Sequence, residues 1–177
     1  MKNLFQLETE RLRLRELSIV DASFILQLMN APNWLQYIGD RNIKTKSDAA
    51  NYISKKIISS YRSNGFGLYL IQLKDTNKPI GICGLIQRDG LDTPDIGFAI
   101  LPIYEGKGFI TEAAKTIIKY AKDNLQLKII YAITTEVNEA SIQVLQNIGM
   151  QFSKKILLPK EKKTFMLFTK LLIEQAY

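Results

Sequence analysis

Apolar and charged residues alternate near the start of the chain, where Leu12 and Leu14 fall between Arg11, Arg13 and Arg15. That two-residue period predicts a strand over 8–17 with one buried face. From Ser18 or Asp21 the period lengthens, and Ile19, Ala22, Phe24, Ile25, Leu28 and Met29 recur at helical spacing until Pro32 interrupts them. Residues 33–42 carry Trp34, Tyr37 and Gly39 without a period and read as a loop. Ser47 with Asp48 is placed to cap a second helix, whose apolar stripe of Ala50, Ile53, Ile57, Ile58 and Tyr61 runs out at Asn64 and Gly65.

Two strand-like runs, 67–73 and 79–87, flank a polar turn over 74–78 and predict an antiparallel hairpin. After a turn over 88–94, the run 95–101 continues the meander. A long helix over 108–125 then turns Ala113, Ala114, Ile117, Ile118 and Ala121 toward the sheet. A strand over 128–135, a helix over 139–148 ended by Gly149, and two strands over 150–157 and 163–172 complete the pattern. Strand, helix and strand in succession imply a right-handed crossover, which lays 128–135 parallel beside 95–101. One α/β domain over 7–173 is expected, built on a mixed, mostly antiparallel sheet flanked by helices.

Composition narrows the chemistry. At 177 residues, with 46% hydrophobic and 23% charged side chains, the chain suits one domain with a substantial core. No apolar run approaches the roughly 20 residues that cross a bilayer, and no signal-peptide core precedes the first strand, which predicts a cytoplasmic protein without membrane contact. Cys83 is the single cysteine and histidine is absent, so neither a disulfide framework, a common zinc site nor Ser-His or Cys-His machinery can be assembled. No metal is expected, and proton transfer falls to carboxylate, Tyr, Ser, Lys or water. A net charge of +7 suits a nucleic acid or a polyphosphate ligand equally. The most basic segment, with Lys154, Lys155, Lys160, Lys162 and Lys163, has only Phe152 and Phe165 interleaved and reads as a solvated hairpin, which argues against nucleic acid.

The richest stretch is 95–114, an apolar strand stopped by Pro102, a turn with Gly106 and Gly108, and helix formers from Thr111. Glycines let the backbone aim its amides at one point, and the following helix adds unpaired N–H groups and the positive end of its dipole. Such a turn suits a phosphate. The three-glycine dinucleotide pattern and the Gly-Lys-Ser/Thr nucleotide loop are both absent, and two glycines between strand and helix also fit a plain tight connection.

Residues 102–113 resemble the acetyl-CoA-binding motif of the GCN5-related N-acetyltransferases (GNAT), in the RimJ/RimL-type branch named for ribosomal-protein alanine acetyltransferases. Three more stretches are similar to that branch: Leu7-Glu8-Thr9-Glu10-Arg11-Leu12-Arg13-Leu14-Arg15 to its first strand, Gly81-Ile82-Cys83-Gly84-Leu85 to its third, and Asn138-Glu139-Ala140-Ser141 through Gly149-Met150 to its second cofactor motif. The resemblance implies a sheet splayed between its central parallel strands, with acetyl-CoA as co-substrate. It implies that Ile100 pairs with the pantetheine arm, and that the amides of Glu105, Gly106, Lys107, Gly108, Phe109 and Ile110 cradle the pyrophosphate. Asn138 would hydrogen-bond the pantetheine and Ser141 would sit near the sulfur. The chain departs from the pattern at Glu105, where Gln or Arg is usual, and at Ile110, where Gly or Ala is usual.

Acetyl transfer needs a group that takes a proton from the amine and another that returns one to the thiolate. Asp95 is the favoured base, with Glu136 behind it. Where other branches place a Tyr acid this chain has Leu145, so Ser141, directly or through water, is the candidate donor. Trp34, Tyr37 and Tyr61 are candidates to line the acceptor pocket, and helix-borne aromatics also fit a core role. An N-terminal α-amine, about one-seventh neutral at pH 7 against about one in 2,500 for lysine, is the acceptor expected. A small amine such as a polyamine or antibiotic, a non-catalytic acyl-CoA-binding module and an RNA-docking module remain alternatives, and either a monomer or a homodimer fits.

Overall fold

Eight strands run through residues 5–173, the part of the chain that the computed structural model describes: β1 (Gln6–Glu8), β2 (Leu12–Glu16), β3 (Leu68–Leu73), β4 (Pro79–Ile86), β5 (Asp95–Ile100), β6 (Ile129–Thr134), β7 (Gln151–Leu157) and β8 (Thr164–Leu171). They form one sheet in the order β1-β2-β3-β4-β5-β6-β8-β7. Every neighbouring pair is antiparallel except β5 with β6, which is the expected crossover. The sequence pattern did not foreshadow the insertion of β8 between β6 and β7.

Among the described residues six α-helices cover the two faces: α1 (Ala22–Met29), α2 (Pro32–Tyr37), α3 (Lys46–Tyr52) and α4 (Ser59–Asn64) precede β3, and α5 (Phe109–Asp123) and α6 (Glu139–Asn147) follow β5 and β6. Side chains that alternate along the strands feed two cores. Ile96 and Ile100 join Ile110, Ala113, Ala114, Ile117 and Leu145 under α5 and α6. On the opposite face, Leu70, Ile82 and Leu101 pack with Phe24, Ile25, Leu28, Trp34, Ile53 and Ile57 from the earlier helices.

Three local expectations are corrected. The stretch expected as one strand over 8–17 is a hairpin, because Thr9 exchanges hydrogen bonds with Leu12 (Thr9 N to Leu12 O, 2.9 Å; Leu12 N to Thr9 Oγ1, 2.9 Å) and turns the chain. Residues 33–42 are not all loop, since Pro32 opens α2 at a first-turn position where a missing N–H costs nothing. The cap of α3 is Thr45 rather than Ser47: Asp48 N donates to Thr45 Oγ1 at 3.1 Å while Asp48 Oδ2 accepts from Thr45 N at 2.8 Å. Between α3 and α4 the helix widens into a π-helical turn (Ile53–Ile58), in which Ile53 and Ile57 are both buried.

Gly84 lies hard against the chain entering β3, because a Cβ there would meet the Gly67 carbonyl oxygen at 2.0 Å and Leu68 Cα at 2.8 Å. The crowding atoms are all backbone, so no flexible side chain can give way. Gly84→Ala is therefore expected to destabilise the fold by ~3 kcal/mol or more, read as a lower urea midpoint, and a midpoint like wild type would mean that β3 can shift away.

Candidate active site

β5 and β6 share one paired position, Asp95 with Tyr131, and Tyr131 N donates to Pro94 O at 3.2 Å. Beyond it the strands part. Backbone groups of successive strand residues point to opposite sides, and Leu101 N donates to Ile80 O on the β4 side at 2.9 Å. The N–H and C=O groups of Ile96, Phe98 and Ile100 consequently face the gap, where an extended ligand can pair with them as a short strand would. Asp95 lies at the closed end and Ile100 at the open end, about 17 Å apart at strand rise.

Past Ile100, a 3-10 turn (Pro102–Tyr104) leads to Gly106 and Gly108, both with positive φ (71° and 77°), and α5 begins at Phe109. Left-handed backbone at both glycines turns successive amides the same way, and the α5 N-terminus adds its own unpaired donors. Glu105, Gly106, Lys107 and Gly108 are exposed, so an anion can reach them. The cradle is braced from below. Glu112 accepts from the Thr9 hydroxyl, from Arg11 N at 3.0 Å and from Arg11 Nε at 2.7 Å. Burial pushes the Glu112 carboxyl up, but these donors outweigh it and hold it below the usual range. The same Arg11 donates to Lys107 O at 3.1 Å and lies 4.5 Å from the Phe109 ring centroid. Glu112 thus ties the β1–β2 turn to the cradle.

Asp95 is 1% exposed and points, with Gly97 and Ala99, toward the face that carries α1 to α4. Both its oxygens accept from Arg88 Nε, at 2.8 and 3.0 Å. Burial pushes its carboxyl up to about 6, against the pull of that guanidinium. Glu136 is exposed and ion-paired with Lys155 at 2.5 Å. On the β6 side, Asn138 caps α6 by accepting from Ser141 N at 3.1 Å, which puts the Ser141 hydroxyl, half-buried, in the first turn of that helix. Asp95 and Ser141 therefore belong to opposite walls of the gap. Leu145 is buried in the core under α6.

The three aromatic candidates differ in openness. Trp34 is buried, with its indole N–H donating to Gly39 O at 3.1 Å. Tyr61 stacks on Tyr69 with ring centroids 5.6 Å apart, and its hydroxyl accepts from Leu17 N at 3.1 Å and donates to Leu68 O. Tyr37 is half-buried at the end of α2. Two further residues enter the site that the sequence did not single out. Arg88 meets Asp95 across a loop, and Asn33 on α2 donates from Nδ2 to Ile100 O at 2.9 Å and to Glu105 Oε1 at 2.5 Å. The only local sign of Asn33 was its place directly after Pro32.

Residues 11–151 match the family described as the acetyltransferase (GNAT) domain. The uncharacterized N-acetyltransferase p20 of Bacillus licheniformis is 30% identical over 149 residues, covering 82% of both chains. Among solved structures, the ribosomal-protein-S5-alanine acetyltransferase of Vibrio fischeri superposes with a TM-score of 0.78 at 17% identity, covering 98% of this chain and 100% of that one. The ribosomal L7/L12 α-N-protein acetyltransferase RimL, solved in complex with coenzyme A, does so with a TM-score of 0.80 at 14% identity, covering 94% and 98%. At these identities the two structures speak to the fold.

Proposed function

The chain belongs to the acetyltransferase (GNAT) family and is an acetyl-CoA-dependent N-acetyltransferase, and from that premise we propose that its acceptor is the α-amino group of a protein or peptide N-terminus. Acetyl-CoA supplies the acetyl group in an activated thioester. The amides of Glu105 through Ile110 hold its pyrophosphate, with Lys107 adding charge, and the side chain of Ile110 is no obstacle because it turns into the core. Ile100 pairs with the pantetheine arm from the β5 wall and Asn138 from the β6 wall. The amine approaches from the face of α1 to α4, past Tyr37, with Trp34 and Tyr61 forming the wall behind it.

Asp95 takes the proton the amine loses, directly or through one water, and Ser141 Oγ returns one to the departing sulfur. Transfer is direct, in a ternary complex. Cys83, the lone thiol, is fully buried, and burial pushes it far above its ordinary range, so it is a poor candidate to carry an acyl group.

The observation that carries this reading is a buried carboxylate, Asp95, 1% exposed and held by Arg88 Nε at the closed end of the gap, where burial pushes it up to about 6. Such a base sits about two pKa steps below an α-amine and more than four below a lysine, so only the first gives it a workable proton. A polyamine suits the site less, because Asp95, the buried carboxylate here, is already paired with Arg88 and is not free for a second ammonium. The names of the Vibrio fischeri enzyme and of RimL describe acceptors of the proposed class, in the RimJ/RimL-type branch. The cytoplasm is the compartment proposed for such an acceptor, and no helix among the described residues is long and apolar enough to cross a membrane.

Thiol release with acetyl-CoA should be followed on Ala- and Ser-starting peptides, on the same peptides N-blocked but carrying a lysine, and on spermidine. The free N-termini are expected to give kcat/KM at least ~10-fold above the others. Faster turnover of spermidine or of the blocked peptides would sink the proposed acceptor.

A further inference from the structure

Glu105 is out of place chemically, since a carboxylate beside a pyrophosphate repels it. The side chain is nevertheless committed elsewhere. Asn33 Oδ1 accepts from Trp34 N at 3.0 Å, which orients the amide and leaves Nδ2 to face two acceptors, Ile100 O at 2.9 Å and Glu105 Oε1 at 2.5 Å. Both Nδ2 hydrogens are thereby used. Asn33 stands at the start of α2, on the acceptor side, and Trp34 anchors it in the core beside Phe24 and Leu28. A carboxylate at position 33 could not make these contacts, because it would set its oxygens against two acceptors.

We propose that Asn33 is a positioning residue for donor binding: it parks the Glu105 carboxylate on α2, away from the phosphate cradle, while it shares the Ile100 carbonyl that lines the gap. The proposal rests on the reading of the 105–110 turn as the pyrophosphate site. Freed from Asn33, the Glu105 side chain is one rotamer change from the anion held by its own backbone. The partner amide belongs to the helix that borders the acceptor, so donor affinity and the seating of α2 become linked through one side chain. Ile100 O keeps a second lone pair for a ligand N–H, so the latch and the donor need not compete for it.

The test is a double-mutant cycle read by calorimetric titration with coenzyme A, without turnover, on Asn33→Ala, Glu105→Gln and the double variant. At low salt Asn33→Ala is expected to weaken binding roughly five- to tenfold, the size of a partly screened charge repulsion, and most of that loss should vanish at ~0.5 M salt. Glu105→Gln removes the charge and keeps the backbone amide assigned to the pyrophosphate, so in the double variant it should restore most of the affinity that Asn33→Ala loses. Restoration also shows that loss of Asn33 leaves the fold intact. An unchanged affinity in Asn33→Ala overturns the proposal. So does a loss that persists in the double variant, which would assign the effect to the Ile100 carbonyl or to α2 itself. A wild-type protein that binds no coenzyme A overturns the reading of the turn, and the proposal with it.

Discussion

Gly108→Asp is expected to raise the Kd for acetyl-CoA at least ~100-fold while the protein stays folded. Gly108 has φ 77° and ψ 3° at the N-terminal boundary of α5, and a Cβ there would lie 3.5 Å from Arg11 Nη2. Left-handed backbone costs an L-residue about 1–2 kcal/mol, least for Asn and Asp, whose short side chains bond locally. The damage falls on the anion. A carboxylate would occupy the mouth of the cradle, engage the adjacent Arg11 and present a negative charge to the pyrophosphate. Gly108→Ala separates the causes, since it carries the strain without the charge and should lose only about five- to tenfold. Tight coenzyme A binding by Gly108→Asp would remove the turn from the site.

Asp95→Asn should reduce kcat/KM by about 10²- to 10³-fold, the range of a lost general base, and leave the Kd for acetyl-CoA within about twofold. The wild-type rate is expected to fall as pH drops through about 6, where the carboxylate takes up its proton, and the variant should lack that limb. Stability should move the other way. Burial raises the carboxyl from its ordinary 3.8 to about 6 in the folded protein, so the native state holds the proton more tightly than the unfolded chain does. That contribution is fully present below about pH 4 and is lost as pH rises through 6, which leaves an ionised Asp95 as a liability at pH 8. The neutral asparagine should melt at the same temperature or higher at pH 8, by an amount equivalent to at most about 3 kcal/mol, and Arg88, part-exposed, can turn to solvent. A variant that keeps wild-type rates across pH would show that another group accepts the proton.

The strand, turn and helix of 95–114 were readable from sequence because every cause is local. Pro102 ends β5, two glycines take positive φ, and Ile110, Ala113, Ala114, Ile117, Ile118 and Ala121 recur at the spacing of one buried face. Parallel pairing of β5 with β6 followed from chirality alone. What escaped depends on how separate elements come together. Arg88 and Asp95 meet only once β4 and β5 are paired, and nothing near Asn33 announces that Ile100 and Glu105 lie beside it. Pro32 was readable as the stop after α1, which it is, and its second role as the first residue of α2 was not. The hydroxyl partners of Tyr61, the backbone of Leu17 and Leu68, were likewise not readable from its residue type.

The sheet ends at β7, whose outer edge has no strand beside it among the described residues and whose side chains are nearly all exposed. Open edges invite copies of a chain to add strand upon strand. Here Lys154 and Lys155 sit together in mid-strand, beside the bulge at Phe152 and Lys154. A second copy laid antiparallel on that edge would bring ammonium groups face to face, and the bulge would spoil its register. The strand that completes the sheet is thus also built to keep it from growing, and at high concentration the protein should stay dispersed rather than form fibres through this edge.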